Sequence, residues 1–147
     1  MAVRPARLGL ILALAAAACG GRGDPSAETV DALVQAANRR DAAPVVAALA
    51  PDFRGNGGMS RNDLDAEIRR LFAAYASVDV AVSGLTIERF PEFDVARFRA
   101  SFHGSVRKIA GLEGILPSSA RYRFELRLAR DGDRRTVTQA VWEEIGE

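Results

Sequence analysis

The chain has 147 residues, 20 Lys+Arg against 19 Asp+Glu, and a single histidine. That near-neutral balance gives no reason to expect nucleic-acid binding, and one cysteine excludes an intramolecular disulfide. No cluster of His, Cys, Asp or Glu suggests a metal, and nothing in the pattern calls for a cofactor.

At the N-terminus, Arg4 and Arg7 precede an apolar run, Leu8 to Ala18, and small residues ahead of Cys19. This is the layout of a secretory signal. The run is too short for a bilayer core of about 30 Å, which takes roughly 20 apolar residues in a helix. The expectation is a signal over 1–18, a tether over 19–26 and one domain over 27–147. Cys19, after Ala16-Ala17-Ala18 and before Gly20, resembles a bacterial lipobox, with Ala16 where that pattern prefers Leu. The resemblance implies a diacylglyceryl, palmitate-type anchor on Cys19. The absence of Asp at position 20 implies the periplasmic face of the outer membrane. Loss of the signal removes two arginines and no acid, leaving 18 basic against 19 acidic side chains.

The mature part, about 120 residues, suits one core. Ser26 is placed to cap a helix with Val30, Leu33, Val34 and Ala37 at helical spacing. Asp41 starts a second, shorter helix with inner positions Val45, Val46 and Leu49, ended by Pro51. Arg54-Gly55-Asn56-Gly57-Gly58 reads as a flexible connector. Ser60-x-x-Asp63 resembles a capping box, and Leu64, Ile68, Leu71, Phe72 and Tyr75 form the stripe of a long amphipathic helix able to cover a sheet.

Four strands follow. Val78, Val80 and Val82 alternate with polar or small residues, and after Gly84 the parity passes to Leu85 and Ile87, the mark of a β-bulge in a strand over 78–90. A second strand, 96–106, puts Phe98 and Phe102 on one face and Arg97, Arg99 and His103 on the other. Arg121 to Ile145 forms a hairpin around Asp131-Gly132, with Tyr122, Phe124, Leu126 and Leu128 on the inner parity. The fold class is therefore α+β, three N-terminal helices on a four-stranded antiparallel sheet.

The order of helical hairpin, helix ending in Leu71-Phe72-Ala73-Ala74-Tyr75, long bent strand and strands closing on Val141-Trp142-Glu143 resembles the nuclear transport factor 2-like superfamily. The resemblance covers about Ala27 to Ile145 through patterning, without a diagnostic motif. In place of that family's usual short strand before the long helix, only Asp52 to Arg54 is available. The resemblance implies a cone with a curved sheet and an apolar pocket, lined by Tyr75, Phe98, Phe102, Tyr122, Phe124 and Trp142.

Two functions are consistent with this. One is a non-catalytic, lipid-anchored envelope domain that binds a small apolar ligand or an envelope protein. The other is an isomerase or dehydratase, which some members of the superfamily are. His103 and Asp79 take the outward parity, which disfavours acid–base chemistry inside the cone; only a pairing of Tyr75 with Asp52 offers it. Outward arginines 97, 99, 107, 121, 123 and 127 form a stripe that must be neutralised by acids or by an anionic partner. Ile109 to Pro117 reads as a flap over the mouth or a docking edge. Apolar residues on both parities of the last strand fit a homodimer through the sheet.

Overall fold

The structure, a computed structural model, describes residues 23–107 and 116–146. The signal, Cys19, the first part of the tether, and Ile109, Leu112 and Ile115 of the flap lie outside the described residues.

Helix α1 spans Pro25–Asn38 and α2 spans Ala42–Ala47. Strand β1, Leu49–Arg54, follows, then a short 3₁₀ turn at Asn56–Gly58 and helix α3, Arg61–Ala74. Strands β2 (Tyr75–Arg89), β3 (Phe93–Val106), β4 (Ser119–Asp131) and β5 (Arg134–Glu144) complete the chain. The sheet order is β1-β5-β4-β3-β2.

The sheet thus has five strands where the alternation pattern predicts four. Strand β1 pairs in parallel with β5, Leu49 opposite Val137 and Arg54 opposite Gln139. It is hidden in the sequence because Pro51 and Asp52 interrupt any alternation. Leu49 belongs to β1 rather than to α2. Proline is tolerated there because β1 is an edge strand with few ladder bonds to lose.

Asp24, not Ser26, caps α1, its carboxylate accepting from Ser26 N–H at 2.9 Å with Pro25 in the first turn. Ser26 is fully buried and its hydroxyl is used elsewhere. The Ser60/Asp63 capping box forms in both directions, at 3.2 and 3.0 Å. Gly84, at φ 64°, sits in the register break between Ser83 and Thr86, so the parity change is a bulge that bends β2. Gly132, at φ 57°, opens the two-residue β4–β5 turn.

In the core, Val30 of α1 packs with Leu49, Phe53, Ala96, Phe98, Leu126, Leu128 and Val137, and most of these side chains also line the cavity described below. Helix α1 is therefore the helix driven into the sheet. Leu64, Ile68, Leu71 and Phe72 of the α3 stripe are only half-buried, whereas Tyr75, which helical spacing assigns to the same stripe, begins β2 instead and is buried. What that stripe faces instead is a cavity. A register break between Arg127 and Leu128 at the β4–β5 ladder brings Val137 to the inner side along with Ala140. The two-sided apolar pattern of β5 is thus largely a bulge, and Val141, at 48% exposed, is the large hydrophobic side chain left outside.

Candidate ligand-binding site

A cavity of about 570 Å³ opens between α1, α3 and the inner face of the sheet. Its volume lies in the range of small-molecule sites. Leu33 and Val34 of α1 and Leu64, Ile68, Leu71 and Phe72 of α3 form one wall. The sheet wall carries Val78, Val80 and Val82 of β2, and all six aromatic candidates, Tyr75, Phe98, Phe102, Tyr122, Phe124 and Trp142. Phe98 and Phe124 stack at 5.2 Å with planes 10° apart, and Phe124 continues to Trp142 at 6.3 Å. This is a flat aromatic shelf, set up because Phe98 and Phe124, and Phe124 and Trp142, are direct cross-strand partners.

Polar atoms at the cavity are few. Tyr75 Oη donates to the Pro117 carbonyl at 2.7 Å. Burial, reinforced by Tyr122, raises the Tyr75 pKa; burial, reinforced by Glu144, raises that of Tyr122. Both phenols therefore stay protonated at neutral pH and serve as hydrogen-bond donors rather than bases. Among the described lining residues Glu67 is the one carboxylate, and it is held by Arg70 at 2.6 Å, which keeps it well ionised. Asp52 is exposed on β1 and does not reach the lining, so it does not meet Tyr75. His103 is exposed on the outer face, opposite Asp79 of β2. Among the described residues no three His, Cys, Asp or Glu side chains converge as a metal site would require.

Three residues that hold the site have weak sequence signals. Asn56, in the glycine-rich connector, donates to the Trp142 carbonyl at 2.7 Å and accepts from Trp142 N–H at 3.1 Å. Asn38 does the same for Val80 on the β2 edge, at 3.3 and 2.6 Å. Each amide thus fixes a lining residue through its backbone. Gly104 faces inward under the Tyr75 ring. A β-carbon there would lie 2.6 Å from Phe102 Cζ and 2.8 Å from Tyr75 Cδ1. Gly104→Ala is expected to destabilise the fold by about 1–3 kcal/mol and to displace Tyr75 toward the cavity. Urea unfolding checks the first, and loss of the Tyr75–Phe102 edge contact, now 5.2 Å between centroids, in a crystal structure checks the second.

Two of the six stripe arginines are neutralised by acids on their own face. Arg97 bridges Glu88 and Glu125 at 2.8 and 2.9 Å, and Arg123 pairs with Glu143 at 2.6 Å. Arg127 lies 4.3 Å over the Phe93 ring, and Arg121 donates to the Gly146 carbonyl at 3.2 Å. Arg99 and Arg107 have no side-chain partner among the described residues. These exposed pairs each contribute little to stability.

By sequence, no protein family and no curated protein matches this chain. By structure, it is similar to several solved proteins. A candidate scytalone dehydratase from Novosphingobium aromaticivorans has a TM-score of 0.72 at 8% identity, over 83% of each chain. An NTF2-like protein from Cytophaga hutchinsonii has a TM-score of 0.66 at 13% identity, over 85% of this chain and 99% of that one. Bd1075 of Bdellovibrio bacteriovorus has a TM-score of 0.68 at 12% identity, over 82% of this chain; this chain spans only 40% of its length. At such identities the likeness establishes the fold alone. The fold is the α+β cone of nuclear transport factor 2-like, or cystatin-like, proteins.

Proposed function

We propose that this chain is a non-catalytic binding domain of the cell envelope, carrying a small, largely apolar ligand in its cone. It is held at the periplasmic face of the outer membrane by an acylated Cys19. The observation that carries the binding role is the cavity itself. A stripe of leucine, isoleucine and phenylalanine on α3 is left half-buried around about 570 Å³ of open space. Covering that apolar surface is a standing source of binding free energy. The phenols and the salt-bridged Glu67 supply orientation but no free base.

The test is titration with an uncharged aromatic probe such as 1-aminoanthracene. Saturable one-to-one binding with a blue-shifted emission is expected, and absence of binding overturns the proposal. A second measurement concerns the anchor. Intact mass of the protein from its native membrane is expected to correspond to a chain starting at Cys19 plus acyl groups, with the modification lost in Cys19→Ala. An unmodified chain in the soluble fraction removes the membrane from the proposal.

The alternative is a small-molecule isomerase or dehydratase of the same fold. It draws on the likeness to the candidate scytalone dehydratase and on the two phenols at the sheet wall. It requires turnover that disappears in Tyr122→Phe. A ligand recovered unchanged after prolonged incubation argues against it.

A further inference from the structure

A second cleft adjoins the cavity. It is lined by Arg39, Arg40 and Asp41 at the end of α1, and by Arg69, Phe72 and Ala73 of α3. Phe72 lines both spaces, so the two are adjacent at that residue. Tyr75 joins them as well: its ring lies in the cavity, while its backbone carbonyl accepts from Arg40 Nη1 at 2.7 Å.

The three guanidiniums differ in commitment. Arg39 is exposed and has no side-chain partner among the described residues. Arg69 shares Asp65 at 2.6 Å with most of its side chain in solvent. Arg40 occupies the left-handed position, φ 53°, that closes the α1 C-terminus: its own N–H donates to the Ala37 carbonyl and the Asp41 N–H to the Ala36 carbonyl, both at 2.9 Å. Glycine is the usual residue at such a position; here it carries a guanidinium. Against these three cations stand Asp41 and Asp65, so the corner is net positive. An apolar space and a cationic cleft meeting at one shared residue, Phe72, is the layout of an amphiphile site. Guanidinium groups match planar oxyanions with paired hydrogen bonds.

We propose that the cavity and the cleft form one composite site for an amphiphile with an anionic oxyanion head, its tail among the α3 stripe and the aromatic shelf, its head on Arg39 and Arg69. This rests on the cavity being a ligand site, and it adds the head-group chemistry. A neutral ligand would use the cavity alone.

Trp142 is the only tryptophan and lines the cavity, so its fluorescence reports tail occupancy. The full mature chain is titrated with decanol, decanoate and decyl phosphate, each below its micellar concentration, at low and high salt. The same is done with the double variant Arg39→Gln, Arg69→Gln. All three ligands are expected to perturb Trp142, the two anions binding roughly fivefold tighter than decanol at low ionic strength. That advantage is expected to vanish in the variant and at high salt, and the ratio of decyl phosphate to decanoate identifies the preferred head. Equal affinity for all three overturns the head-group assignment and leaves the cavity standing. An anion advantage that survives in the variant overturns it too, because the head then binds elsewhere. No response to any ligand overturns the cavity reading from which the proposal starts.

Discussion

Replacing Asp94 with asparagine is expected to lower folding stability by about 3–5 kcal/mol, the largest loss of any single substitution considered for this chain. Asp94 is fully buried where the start of α1 meets β3 and the β4–β5 hairpin. Its carboxylate accepts from Ser26 Oγ at 2.6 Å, Arg130 Nη1 at 2.8 Å and Arg135 Nε at 3.3 Å, with Arg89 at 3.8 Å. It therefore ties the start of α1 to β3 and to the β4–β5 hairpin. Asparagine keeps the size and removes the charge, leaving Arg135, whose side chain is 7% exposed, without its buried counter-ion. Asp24→Asn serves as the control. The Asp24 carboxylate caps α1 and meets Arg89 at the surface, and asparagine caps nearly as well, so a loss below about 1 kcal/mol is expected. Denaturant unfolding at pH 7 separates the two variants.

The same residue predicts the acid limb of stability. Burial pushes the Asp94 pKa up, but the Ser26 hydroxyl, Arg135 and Arg130 together outweigh it and hold the carboxyl below its ordinary value. A group whose pKa is lower folded than unfolded stabilises the fold above its unfolded pKa, near 3.9. That stability is lost as pH falls through the depressed folded value. Asp94→Asn should flatten the stability profile over that window. A variant with unchanged midpoint and unchanged acid limb would show that the network contributes nothing.

Filling the cavity is the second large effect. Ala100 lies on the sheet floor between Phe98 and Phe102, opposite Tyr122 and Val82, and lines the open space. Ala100→Phe adds about six carbons there. At roughly 0.3 kcal/mol per displaced ligand atom this amounts to about 2 kcal/mol, or about 30-fold weaker binding of an aromatic probe. Stability should change little. The ring enters existing space, and the 1.5–3 kcal/mol gained by burying it offsets a similar cost of repacking its neighbours. Weak binding with intact unfolding cooperativity is the expected pair of results. Undiminished binding in a folded variant would place the ligand outside the cone.

Elements set by local rules were legible in the sequence. The β2 bulge at Gly84, the Ser60 capping box and the Gly132 turn each depend on a few adjacent residues. Phe98, Phe102, Tyr122 and Phe124 followed from period-2 parity, and the cross-strand register then stacked Phe98, Phe124 and Trp142. What escaped depends on partners remote in sequence. Strand β1 exists because Leu49, Ala50 and Phe53 bury against β5 about 85 residues later, despite Pro51. Ser26 reads as a cap because its partner, Asp94, is 68 residues away. The α3 stripe was legible as amphipathic, but spacing cannot say whether an apolar face meets side chains or empty space. Gly104 carries no local signal, since only the folded chain brings the Tyr75 ring against it.

The position of the Asp24 cap has a directional consequence. Helix α1 begins beside Asp94 and Arg89, while Tyr75, Pro117 and Tyr122 lie toward the other end of β3. Eight residues of β3 separate Asp94 from Phe102, about 27 Å at strand rise. A tether from Cys19 to Gly23 reaches at most about 18 Å. If Cys19 carries the anchor, the end of the sheet where α1 begins would be the end nearest the bilayer.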